Sequence, residues 1–168
     1  MNAEVGQRRY DSLRRTAQAL ETRAEIARAA RRLFVERGGA ATTVRDVARE
    51  AASDDPPRQL AAMSGFDRRL YERAGDVILL LREAGRSEPE LATVYRDGRA
   101  RADGFRATVF SSWPAGILRP GLDVPAALDV HAGLCGIDVC TTLTVERGWS
   151  PDRVERWWSE ALVRELLS

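Results

Sequence analysis

Thr22-Arg23-Ala24-Glu25-Ile26-Ala27-Arg28-Ala29-Ala30-Arg31-Arg32-Leu33-Phe34-Val35-Glu36-Arg37-Gly38-Gly39 reads as one complete amphipathic helix. Thr22 and Glu25 have the capping-box spacing, in which hydroxyl and carboxylate each take up a free N–H of the first turn. The paired glycines end it. Ile26, Ala30, Leu33 and Phe34 fall on one stripe, with arginines 23, 28, 31, 32 and 37 around it, as expected of a helix that buries one face. The same logic returns at Thr43-Val44-Arg45-Asp46, where Val44, Val47, Ala48 and Ala51 supply the inner face of a second helix. Upstream, Tyr10, Leu13, Ala17 and Leu20 fit a further amphipathic helix.

Working outward towards the C-terminus, helical periodicity continues and no stretch sustains the alternation of a half-buried strand. The chain is therefore expected to be all-α. Ser53-Asp54-Asp55-Pro56-Pro57 predicts a helix from about 57 to 84, with Leu60, Met63, Leu70, Ala74, Val77 and Leu81 inward. Another is expected from Glu88 to Ser112, followed by a bend through Trp113-Pro114 to Pro120-Gly121. Asp123-Val124-Pro125 opens a helix predicted to run unbroken to Arg147. Ser150 as N-cap, Pro151 and Asp152 open the last one. Apolar or small residues cover nearly the whole circumference of the 123–147 helix, so it must be covered on two sides.

At 168 residues, 44% apolar and 30% charged, the composition is that of a soluble globular protein of one domain plus a small head. The longest strictly aliphatic run, Val77 to Leu81, is too short to cross a bilayer, and Met1 to Tyr10 has no apolar signal core. A cytoplasmic protein with no membrane partner is expected. All 26 basic residues are arginine, which reads chiefly as the codon bias of a GC-rich genome. Residues 1–50 hold eleven arginines against seven acids, or +4, and residues 51–168 fifteen against eighteen, or −3. A basic head on an acidic body points to a polyanion at one end.

Two motifs in order, Ala29-Ala30-Arg31-Arg32-Leu33-Phe34-Val35-Glu36-Arg37-Gly38 and Thr42-Thr43-Val44-Arg45-Asp46-Val47-Ala48, resemble the opening of tetracycline-repressor-type (TetR-family) regulators. Leu118-Arg119-Pro120-Gly121-Leu122 and Glu146 to Arg153 followed by Trp157 are similar to the bodies of some members. The resemblance implies a helix-turn-helix DNA-binding head, here residues 1–52, and a ligand-binding and dimerisation body, residues 53–168. It further implies a ligand-responsive regulator, more often a repressor, that binds operator DNA as a homodimer and is released by a small-molecule effector. One departure is large: only Ala52 to Asp55 separate the second helix from the next helix start, where a helix-turn-helix needs a turn and a recognition helix. A longer protein of which this is a part, a deletion, and a natural variant that does not read DNA all remain open. The first is preferred because both flanks match the family.

Arg23, Thr42, Thr43 and Arg45 are the candidate DNA contacts, since a helix N-terminus with hydroxyls and a guanidinium grips phosphate. A basic arm of Arg8, Arg9, Arg14 and Arg15 would add to it. The implied effector pocket, apolar or aromatic in preference, is assigned to Met63, Phe66, Tyr95, Phe110, Trp113 and His131, with simple core packing as the alternative for each. The dimer interface is assigned to Leu134, Ile137, Trp157, Trp158 and Leu162, from 125–147 and 151–167 pairing with a second copy; the competing arrangement folds this surface back onto 57–112. Cys135 and Cys140, read on one helix, project about 140° apart and cannot bridge. His131 and Cys135 lie one turn apart, but two ligands without a third give no metal site. No cofactor is expected. With one histidine and neither a phosphate loop nor a nucleophile elbow, an enzyme is not expected either. A helical small-molecule or partner-binding protein without DNA binding stands as the alternative function.

Overall fold

The computed structural model describes residues 55–168, together with Ala29 and Arg32 in the preceding segment, both of them helical. Among the described residues the chain is helical, with one isolated bridge and no strand. The elements are α1 (Pro56–Ala84), α2 (Pro89–Ser111), α3 (Val124–Leu134), α4 (Ile137–Thr141), a π-helical turn (Thr142–Glu146) and α5 (Pro151–Leu166). Proline occupies the first turn of α1, α2, α3 and α5, where its missing N–H costs no hydrogen bond. Two starts are also closed by side chains. Asp123 accepts from the Ala126 amide at 2.9 Å and Ser150 from the Arg153 amide at 3.3 Å.

α1 forms the spine, packing along α5 on one side and against α2 and α4 on others, while α3 lies on α2 and α5. The main core gathers Leu60 and Met63 of α1, Val109 and Phe110 of α2, Ala127 of α3, and Val154, Trp158, Leu162 and Leu166 of α5. Trp158 is fully buried and meets the Tyr71 ring edge-on, with centroids 6.1 Å apart and planes at 78°. Outside this core, Arg68 clips α1 to α5 through Glu155 at 2.8 Å, and Arg82 pairs with Asp138 to hold α4 on α1. The Arg119 amide donates to the Leu166 carbonyl at 2.9 Å and the Ser168 amide to Ile117 at 3.1 Å, tying the 113–123 connection to the end of α5.

The helix expected to run unbroken from 123 to 147 is interrupted. Cys135 leaves helical geometry (φ −100°, ψ 24°) and Gly136 is extended (φ −71°, ψ 154°). Glycine is weak in a helix interior. The freed Cys135 carbonyl is instead satisfied by the Tyr71 hydroxyl, which donates to it at 2.8 Å. Beyond the break the chain re-forms as α4 and then widens into the π turn. It stops at Gly148, whose φ of +66° is a conformation that side chains disfavour. The segment Val124–Glu146 has a mean hydropathy of 1.2, yet only 22% of its most apolar stretch is buried within the chain.

The placement of Trp158 yields a stability prediction. Trp158→Ala should lower the unfolding free energy by about 3–5 kcal/mol in urea titration, the usual cost of emptying a large core position. Trp157→Ala, one residue away and partly exposed, should cost clearly less; equal losses would contradict this core.

Candidate functional site

The apolar spacing of α1, Leu60-Met63-Leu70-Ala74-Val77-Leu81, is entered by a carboxylate: Asp67 lies on the same inner face and is fully buried. Its partner comes from α2. Arg106 Nη2 donates to Asp67 Oδ1 at 2.5 Å and reaches Asp103 at 3.3 Å through Nη1. The other carboxylate oxygen, Oδ2, lies 3.3 Å from Nε2 of His131 on α3. Both atoms are buried and neither makes a hydrogen bond. Cys135 lies one turn beyond His131, at the helix break. The Asp67 oxygen, the His131 nitrogen and the Cys135 sulfur all lie within 4.8 Å of one another.

These groups face a cavity of about 60 Å³ between α1, α2, α3 and the start of α4. Its walls combine an apolar part, Leu70, Ile78, Leu81 and Ile137, with Tyr71, Tyr95, Arg99 and the Asp67, Arg106 and His131 group. A site of this kind suits a small ligand with an apolar body and a polar end, because a few convergent polar groups on an apolar wall fix its orientation.

Burial dominates the electrostatics. It raises the Asp67 carboxyl to about 6, against the pull of the Arg106 charge, so the group is mostly ionised at neutral pH. Burial also holds His131 well below its ordinary 6.5, and the Arg106 and Arg99 charges act in the same direction, leaving a neutral imidazole. The Cys135 thiol is raised by burial and by the Asp67 charge, and burial likewise raises Tyr71. Burial is also the largest single influence on Arg106 and works against its charge, but Asp67, Tyr71, Asp103 and Cys135 together outweigh it.

Residues 26–54 match the family model of bacterial regulatory proteins of the tetR family. That segment, 29 of the 168 residues, is similar to that family. No curated protein and no solved structure matches the chain. The match covers most of the helix pair expected at the head and supports, in general kind, a DNA-binding transcription regulator. The candidate DNA contacts Arg23, Thr42, Thr43 and Arg45 lie outside the described residues, as do the basic-arm arginines.

Of the six residues assigned to the pocket, Tyr95 and His131 line the cavity. Met63 and Phe110 are 2% exposed in the main core, and Trp113 packs against that core with its indole donating to Gln59. Phe66 is partly exposed and is not among the lining residues. Of the five interface residues, Ile137, Trp158 and Leu162 are buried inside the chain itself, whereas Leu134 and Trp157 remain partly exposed. That departure from expectation follows from α5 packing its widest apolar stripe on α1. Asp67, Arg99, Arg106 and Tyr71 were not singled out in sequence. The usable signal was a charge at an inward position of an otherwise apolar stripe, since an unpaired charge is not left buried.

The buried imidazole predicts an acid-sensitive term. With its folded pKa below 6.5, His131 contributes stability that is complete above about pH 6.5 and lost as the pH falls. Asp67, raised from 3.8 to about 6, works the other way, favouring the folded state as the pH falls through that window. His131→Gln should therefore lose less thermal stability than the parent between about pH 7.5 and about pH 5.5. The groups facing His131 are Asp67 of α1, Arg99 and Arg106 of α2, and Cys135, and none of them is altered in this comparison. Identical pH slopes would show that the imidazole is not held neutral.

Proposed function

We propose that the chain is a ligand-responsive repressor that binds a palindromic operator as a two-fold dimer, with the effector seated in the cavity between α1, α2 and α3. The observation that carries this reading is the family match at residues 26–54 beside a helical body with a buried, mixed-polarity cavity. An effector releases DNA only if it binds one arrangement of the two heads better than the other, so its binding energy must differ between them. A cytoplasmic setting follows from action on DNA.

Self-association is supported by the apolar Val124–Glu146 segment, which leaves most of its surface uncovered within the chain. Val145 is 76% exposed. Gly133 has nothing within 4 Å of where a Cβ would stand, which leaves room for a close helix approach. Leu134 and Trp157 are the interface candidates that remain accessible; Trp158 and Leu162 serve the chain's own core. A specific stable dimer would bury roughly 1,200–2,000 Å² in all.

One observation favours the alternative reading, a helical small-molecule or partner-binding protein without DNA binding. The family match ends at residue 54 and α1 begins at Pro56, which leaves no segment for a recognition helix between them.

Two experiments test the proposal. The chain should retard the DNA upstream of its own gene with strong salt dependence, and Arg45→Ala should weaken retardation without changing sequence preference, as a phosphate contact does. No retardation at low salt would leave the alternative reading standing. Sedimentation at micromolar concentration should show a dimer that Leu134→Glu or Trp157→Glu weakens. A clean 18.6 kDa monomer would refute the dimer.

A further inference from the structure

We propose that Asp67, His131 and Cys135 form a zinc site at the inner wall of the cavity. Three different helical positions converge there: the middle of α1, the last turn of α3 and the residue at the break after it. Oxygen, nitrogen and sulfur donors in one cluster match the preference of zinc, which accepts carboxylate, imidazole and thiolate together in tetrahedral geometry. This goes beyond the regulator reading and does not depend on it, since a chain that bound no DNA would keep the same three donors.

The spacing supports the assignment. Zinc bonds of ~2.0–2.1 Å to oxygen and nitrogen at a tetrahedral angle place those two atoms about 3.3 Å apart. Asp67 Oδ2 and His131 Nε2 stand 3.3 Å apart. The Cys135 sulfur lies within 4.8 Å of both, and a zinc–sulfur bond of ~2.3 Å requires it to stand ~3.6 Å from them. The two closest donors are also, with Trp158 Nε1 of the main core, the buried side-chain atoms that lack a hydrogen-bond partner among the described residues. Buried polar atoms are rarely left without one, and such a pair calls for a cation or a proton between them.

Neighbouring groups hold the donors in place. Arg106 engages Oδ1 of Asp67 and leaves Oδ2 free to point at His131, the kind of outer contact that orients a metal-binding carboxylate. Its charge does not forbid the ion: zinc with one carboxylate and one thiolate is neutral. Tyr71 anchors the Cys135 carbonyl, so the helix break at the cysteine is itself fixed. On binding, the Cys135 S–H bond breaks, a sulfur–zinc bond forms and the proton leaves to solvent. Three protein donors leave a fourth position open to the cavity, where about 60 Å³ accommodates a water molecule.

The experiment uses the full chain stripped with a chelator, then titrated with zinc alone and separately with cobalt(II) alone. One equivalent of zinc should bind, and cobalt should give tetrahedral visible bands with a sulfur-to-cobalt charge-transfer band in the near ultraviolet. Cys135→Ser should abolish the charge-transfer band. Cys135→Ser and His131→Gln should each weaken zinc binding at least ~10-fold, while Cys140→Ser leaves it unchanged. Should either variant fail to fold, alkylation of the parent chain decides, because zinc should protect Cys135 from iodoacetamide under mild denaturant and leave Cys140 reactive. No stoichiometric zinc binding, a band that survives Cys135→Ser, or equal alkylation of Cys135 with and without zinc would overturn the site. Operator retardation is not among these readouts, so failure of the zinc site and failure of the regulator reading are told apart.

Discussion

The buried contact between Asp67 and Arg106 sets the terms for the rest of the body. A carboxylate with no exposure sits in the middle of α1, and the guanidinium that answers it comes from the far half of α2. Removing either partner of such a pair strands the other as a buried charge, at a cost of about 3–5 kcal/mol. The relative position of α1 and α2 is thereby fixed at one point, and α3 must lie so that His131 closes the other side. The space between the three is what remains as the cavity. Its chemistry follows from the pair: wherever a buried carboxylate is held, the neighbouring imidazole, thiol and phenol have their protonation set by the same desolvation.

The second organising element is the tryptophan at the centre of α5. Because Trp158 is seated between Tyr71 and the main core, α5 turns its widest apolar face inward onto α1. The apolar surface left incompletely covered lies instead on Val124–Glu146 and on the flank of Trp157. The division of labour among the helices is thus different from the one suggested by the composition of the last helix alone. Large apolar residues at a chain's end serve a fold or an interface equally well, and only their angular position around the helix decides which.

Much of the fold was legible because its boundaries are chemical. Asp123 and Ser150 cap where they were expected to, prolines mark four helix starts, and the stripe of α1 was read with all but Leu70 in the core. What the chain did not reveal depends on distance. Asp67 and His131 are far apart in sequence, so no local pattern announces that the lone histidine has a carboxylate beside it. The break at Cys135 was equally hidden, since a glycine inside a long apolar run is tolerated as often as it interrupts. It took the Tyr71 hydroxyl, supplied from α1, to make the interruption the better solution. The aromatic residues chosen for the pocket divided between wall and core for the same reason, as helical spacing specifies a face but not which neighbour that face meets.

Tyr71 occupies three roles at once. Its ring packs on Trp158, its hydroxyl holds the loosened carbonyl of Cys135, and it forms part of the cavity wall. A substitution that reshaped the cavity at this position would disturb the core and the helix break in the same step. Natural proteins hold little stability in reserve, so such a change would need a compensating substitution elsewhere before it was tolerated. Arg99, which lines the cavity from α2, carries no such packing burden, whereas Tyr95 also packs against the smaller apolar clusters around Val77 and Ile78. Change in the shape of the cavity is therefore least costly at Arg99 on the α2 wall, while the α1 wall is kept by the demands of folding.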